Sequence, residues 1–93
     1  MDRAEKVKSL PASPGVYIMK DARGEILYVG KASNVKKRVS SYFYPNQRHT
    51  DRIRIMVTQI ADIACIPTST EAEALIYENS LIKQLMPKYN SLS

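Results

Sequence analysis

The apolar residues alternate between short, nearly continuous runs and a looser three-and-four spacing. Gly15-Val16-Tyr17-Ile18-Met19-Lys20 and Glu25-Ile26-Leu27-Tyr28-Val29-Gly30 are runs rich in β-branched and aromatic side chains, which predict two strands. Asp21-Ala22-Arg23-Gly24 joins them with Asp early and Gly late, so the pair reads as an antiparallel hairpin. Val35, Val39 and Tyr42 then recur at helical spacing, predicting a helix from about Asn34 to Tyr42 with Ser33 as its cap. Ile53, Met56, Val57 and Ile60 repeat that spacing over 49–60, with Asp51, Arg52 and Arg54 facing water. Asp62 to Pro67 predicts a third strand. Thr70 and Glu73 form a T-x-x-E capping pattern, and the helix behind it runs to about Leu85, where Pro87 stops it. Residues 1–13 read as a short helical lead-in closed by Pro11 and Pro14, and Pro45 and Asn46 mark a loop. Strand, strand, helix, helix, strand, helix predicts a small α/β sandwich: a three-stranded, mostly antiparallel sheet flanked by helices.

Ninety-three residues allow one domain, which buries roughly 60–65% of the surface its unfolded chain exposes. The single cysteine, Cys65, excludes an internal disulfide and a cysteine-based zinc site, and its place in a strand predicts core packing. No apolar run approaches the ~20 residues that span a bilayer, and the charged stretch Met1 to Lys8 leads into no apolar segment. These features predict a soluble cytoplasmic protein with no membrane partner. The net charge is +5, unevenly spread. Between Lys31 and Arg54 lie seven basic residues (Lys31, Lys36, Lys37, Arg38, Arg48, Arg52, Arg54) against one acid, Asp51; between Asp62 and Ile82 lie four acids and no Lys or Arg. A solvated surface carries such a bias by chance, but a basic centre also suits a polyanion such as nucleic acid.

Glu78 breaks the pattern of the last helix. At 100° per residue it falls among the apolar stripe of Ala74, Leu75, Leu81, Ile82 and Leu85. A carboxylate removed from water must be paired or bound to a cation. Either it salt-bridges a nearby Arg or Lys at the rim of the core, or it ligates a hard divalent ion. The aromatic residues are six Tyr and one Phe. Tyr17 and Tyr28 sit on the hairpin and Tyr42 on the next helix, four residues after Arg38. They are either core rings with hydroxyls at the edge, or phenols whose pKa, ordinarily about 10, is lowered by Lys31 and Arg38 for general-base work. His49, the sole histidine, reads as a solvated or phosphate-contacting loop residue. No glycine-rich phosphate loop is present.

Gly15-Val16-Tyr17 and Tyr28-Val29-Gly30 resemble the two halves of the GIY-YIG nuclease signature, with Val for Ile in both. Lys31-Ala32, Asn34, Lys37-Arg38-Val39 and Ser41-Tyr42-Phe43 resemble that family's following basic helix. Glu73-Ala74-Leu75-Ile76, Glu78 and Leu81-Ile82-Lys83 resemble its metal-binding helix, and Pro87-Lys88-Tyr89-Asn90 its closing segment. The match covers nearly the whole chain and is nearest to the branch that works in bacterial nucleotide excision repair.

The resemblance implies a divalent-metal-dependent DNA endonuclease domain, cutting on the 3′ side of a lesion, within a longer chain of which 1–93 is the N-terminal part. Glu78 would be the one protein ligand of a single Mg²⁺ or Mn²⁺ ion. Tyr28 would be the general base or orient the attacking water, and Tyr17 would hydrogen-bond in the same site. Arg38 would hold the scissile phosphate with Lys31 beside it, and Tyr42 would line the pocket. Lys36, Lys37, Arg38, Arg48 and Arg52 would contact double-stranded DNA. Asn90 and Gly30 would support the site. One departure stands out: relatives often carry Asn two residues after the metal Glu, whereas this chain has Ser80, with Asn79 just before it. The implied partners are duplex DNA and a helicase-like loading protein, with the isolated domain a monomer. Two rivals are a non-catalytic basic nucleic-acid-binding module, which gains nothing from an inward acid, and a stand-alone nuclease of the same superfamily.

Overall fold

The computed structural model describes residues 2–44 and 48–90. Its elements run α1 (Arg3–Ser9), β1 (Gly15–Lys20), β2 (Ile26–Ala32), α2 (Val35–Ser41), α3 (Asp51–Gln59), β3 (Asp62–Pro67) and α4 (Glu71–Leu85). The expected loop at Pro45 and Asn46 lies outside the described residues.

Turn chemistry sets the hairpin. Asp21 Oδ1 accepts the backbone N–H of Arg23 and of Glu25, each at 2.9 Å, and Gly24 takes a φ of 84°, which suits a residue without Cβ. The sheet order is β2-β1-β3, and β1 pairs antiparallel with both neighbours. Met19 opposes Tyr28 while Lys20 opposes Ile26, so Leu27 is an extra residue on β2. β2 also runs on to Ala32, past the expected end at Gly30, which places Lys31 on the strand itself.

Alternate residues of the strands feed two cores. Tyr17, Met19, Leu27 and Ala32 face α2 and α3, packing with Val35, Val39, Tyr42, Met56, Ile60 and Ile63. Val16, Ile18 and Val29 face α4 and bury Ala74, with Leu81 and Ile82 at the margin. Gly15 is forced by contact: a Cβ there would stand 2.7 Å from the Ile66 carbonyl oxygen of the neighbouring strand.

The helix ends are locally determined. Thr70 Oγ1 accepts the Glu73 N–H at 3.0 Å, while Glu73 Oε1 accepts the Ser69 N–H at 3.2 Å. Met86, in the left-handed region at φ 44°, closes α4 ahead of Pro87. Asn34, not the expected Ser33, caps α2: its Oδ1 accepts the Lys37 N–H at 3.0 Å, and Ser33 stays exposed. The apolar stripe of α4 is narrower than its periodicity suggests. Leu75 and Leu85 remain 42% and 40% exposed, because no described element covers the outer face of this helix. After α4 the chain turns back along the open edge of β2, where Tyr89 N–H donates to the Leu27 carbonyl at 2.8 Å. No helix among the described residues is long and apolar enough to cross a membrane.

Candidate active site

The site grows from the edge strand β2 and the two tyrosines the hairpin brings together. Tyr17 lies opposite Gly30, and its ring covers that glycine. A Cβ on Gly30 would sit 2.4 Å from both Cζ and the hydroxyl of Tyr17, so only glycine leaves room for the phenol. The Tyr17 and Tyr42 hydroxyls share a hydrogen bond of 2.8 Å. Tyr28 completes a triangle of rings, 6.2 Å from Tyr17 and 6.4 Å from Tyr42 between centroids. Tyr17 and Tyr42 are buried, whereas Tyr28 is half-buried.

Arg38, one helical turn before Tyr42, holds its guanidinium 5.6 Å from that ring, near the hydroxyls that Tyr17 and Tyr42 share. The neighbouring Tyr17 hydroxyl raises the Arg38 pKa further, so its charge is permanent. The phenols shift the opposite way from the expected lowering. Burial is the largest cause in all three, and it raises Tyr17, Tyr28 and Tyr42, with Tyr28 pushed up to about 12. Arg38 opposes the rise without overcoming it, and the Glu78 charge adds to it at Tyr28. The expectation of a ready phenolate is therefore overturned: three clustered hydroxyls lose more hydration than one guanidinium restores.

Glu78 is half-buried on α4, neither packed in the core nor open to solvent. Among the described residues its carboxylate makes no ion pair, and its charge is felt at both Tyr28 and Lys31. Those residues also contain no cluster of three or more His, Cys, Asp and Glu. One free carboxylate beside a phenol and a cationic groove fits a hard ion of the Mg²⁺ type, which keeps several waters and takes a substrate phosphate oxygen. It does not fit a site enclosed by protein ligands.

Beside the tyrosines opens a groove of about 530 Å³ lined by Lys31, Lys37, Arg38, Asn34, Ser41 and Glu71, among others. Lys31 Nζ lies 2.8 Å from Glu71 Oε2. Glu71 was not singled out from the sequence, although it precedes Glu78 by seven residues, a spacing that puts both on one face of a helix. The other basic candidates divide. Lys37 lines the groove, and Lys36 does not. Arg48 is exposed. Arg52 is engaged elsewhere, donating to the Lys88 carbonyl at 3.0 Å with its guanidinium 5.1 Å from the Tyr89 ring. His49 is not a free loop residue: it stacks on Tyr42 at 5.7 Å and 13°, with Nε2 3.2 Å from the Ser41 carbonyl. Cys65 is half-buried and packs against the larger core, as a strand thiol among apolar neighbours should.

Asn90 secures the edge. Its Oδ1 accepts the Val29 N–H and its Nδ2 donates to the Val29 carbonyl, both at 2.9 Å. One side chain thus supplies the pair of hydrogen bonds a further strand would give, between the two site residues Tyr28 and Gly30.

The sequence model of the UvrC-like GIY-YIG domain matches residues 13–91. The chain belongs to that family. It is 60% identical over 86 residues to the UvrABC system protein C of Alkalilimnicola ehrlichii, covering 92% of this chain and 14% of that protein. With the same protein from Carboxydothermus hydrogenoformans it is 56% identical over 88 residues, covering 95% and 14%. The chain thus spans about a seventh of the length of these relatives. It also superposes on the crystal structure of the GIY-YIG N-terminal endonuclease domain of UvrC from Thermotoga maritima, bound to its catalytic magnesium. That match has a TM-score of 0.83 and 34% identity, covering 98% of this chain and all of the other.

Proposed function

We propose that this chain is a divalent-metal-dependent endonuclease domain that hydrolyses a DNA phosphodiester in nucleotide excision repair, as the N-terminal part of a UvrC-type protein. The observation that carries this reading is the convergence around Tyr28 of a half-buried carboxylate, which has no ion-pair partner among the described residues, two further phenols and the Arg38 guanidinium, with a basic groove beside them. A binding surface needs the cations and not the rest. The relatives add the pathway and a UvrB-like loading partner; the 3′ side of the cut is the family's implied polarity.

Glu78 would hold one Mg²⁺ or Mn²⁺. When bound, the ion neutralises charge on the phosphoryl oxygens and opposes the forces that keep neighbouring acids protonated. Arg38, set over the Tyr42 ring, would meet the phosphate and stabilise the charge that builds as water attacks phosphorus. With its pKa about 12, Tyr28 enters as a neutral phenol. It orients the attacking water through its oxygen, and it would accept that water's proton only after losing its own, which more positive surroundings favour. Tyr17 and Tyr42, buried and hydrogen-bonded to each other, exclude water beside Arg38. Lys31 and Lys37 track the flanking backbone.

Nicking of a lesion-bearing duplex with Mg²⁺ or Mn²⁺, in the presence of the loading partner, tests this reading. Glu78→Ala should slow cutting by about a thousandfold or more while leaving DNA affinity nearly intact. Undiminished cutting by that variant removes Glu78 from the chemistry. DNA binding without any cutting by the parent protein favours the binding module.

A further inference from the structure

Lys31 and Glu71 face each other across the groove, with 31% and 47% of their side chains exposed. Glu71 is the first residue of α4, where the helix dipole already favours an acid, so it needs no lysine to be stable there. It is also the sole acid among the described residues lining a groove otherwise furnished with Lys31, Lys37 and Arg38. Each of the two cations nearest the chemistry has an internal partner. Arg38 lies over the Tyr42 ring, and Lys31 is bonded to Glu71.

The two attachments differ in kind. A neutral tyrosine ring leaves the Arg38 charge unbalanced and available to an anion. The Glu71 carboxylate spends the Lys31 charge on a contact of 2.8 Å, the distance an ammonium keeps from a phosphate oxygen. An exposed pair of this type is weak and screened by salt, whereas duplex DNA presents a dense row of phosphates. The carboxylate is therefore an acceptor that a phosphate can replace without rearranging the backbone. Glu78, seven residues on, also pulls on Lys31. An anchored Lys31 stays extended over the groove instead of turning onto the metal-site carboxylate.

We infer that Glu71 is a positioning residue: it holds Lys31 in the DNA-free protein in the place of a backbone phosphate, and yields that place when a strand enters the groove. The inference rests on the endonuclease reading, and it adds the route by which the groove receives its substrate.

A double-mutant cycle on DNA affinity tests it. Binding of duplex DNA is followed by fluorescence anisotropy in EDTA, for the parent chain, Glu71→Gln, Lys31→Ala and the double variant. Circular dichroism checks the fold of each. Glu71→Gln should tighten binding about two- to fivefold, with a steeper loss as salt rises, because no carboxylate competes for Lys31. In the Lys31→Ala background the same change should have little effect. Glu71→Asp should restore the parental affinity at least in part. In nicking assays Glu71→Gln should lower KM by a similar factor and leave kcat unchanged. Equal tightening in both lysine backgrounds means simple repulsion between Glu71 and DNA, and overturns the proposal; so does an unchanged affinity. A parent chain that binds DNA but never nicks it counts against the endonuclease reading alone, since the affinity cycle is read without metal.

Discussion

The two faces of the sheet are built from the same strands and do different work. Toward α4, Val16, Ile18 and Val29 form a small aliphatic core around Ala74. Toward α2 and α3, their neighbours Tyr17 and Tyr28 join a larger core in which phenols meet beside Arg38. Val16 and Tyr17 are adjacent in sequence, as are Tyr28 and Val29, yet each pair is split between faces by the two-residue period of a strand. The buried cluster on that face is wholly apolar and gives stability. The aromatic face gives up some of that apolar character to hold three hydroxyls and a guanidinium in one arrangement. Each three-residue motif of the hairpin therefore carries one residue for packing, one for chemistry, and a glycine that lets two backbones or a ring come close.

The sharpest way to break this division is on the aliphatic side. Val16→Ala should cost about 2–3 kcal/mol of stability by opening a cavity under α4, while the nicking rate per folded molecule stays near normal. Denaturant unfolding and a rate corrected for folded fraction measure the two parts. Gly30→Ala should blur the division. The new methyl displaces the Tyr17 ring, so about 1–3 kcal/mol of stability and most of the activity should go together. The smallest expected effect is alkaline. Tyr17, Tyr28 and Tyr42 bind their protons more tightly folded than unfolded, so between about pH 10 and 12 the unfolded chain loses protons that the native one keeps. Their contribution is fully present below about pH 10 and declines as pH rises toward 12. Melting temperatures over that range should fall, and less steeply in Tyr28→Phe.

What could be read from the sequence was what short-range chemistry decides. The Asp21–Gly24 turn, the Thr70 cap and the bounds of the third strand depend on residues within a few positions, and the chain shows them directly. Glu78 stood out because an acid conflicts with its apolar neighbours, and the motif spacing gave that conflict a chemical meaning. What depends on distant partners was not visible. Asn34 and Ser33 are both good caps, and the path of the chain chooses between them. Leu75 and Leu85 match the periodicity, but nothing described covers them. The direction of the tyrosine shifts depends on how much water three separate elements exclude, which no count of nearby lysines and arginines gives. The stacking of His49 on Tyr42 and the Lys31–Glu71 pair likewise exist only once the elements are assembled.

Ion binding at Glu78 is the central claim, and a Mn²⁺ titration followed by electron paramagnetic resonance tests it most directly. One weak site should appear in the parent chain, strengthen when duplex DNA supplies a phosphate oxygen, and vanish in Glu78→Gln with the fold intact. Manganese bound equally well by Glu78→Gln, with or without DNA, would contradict it.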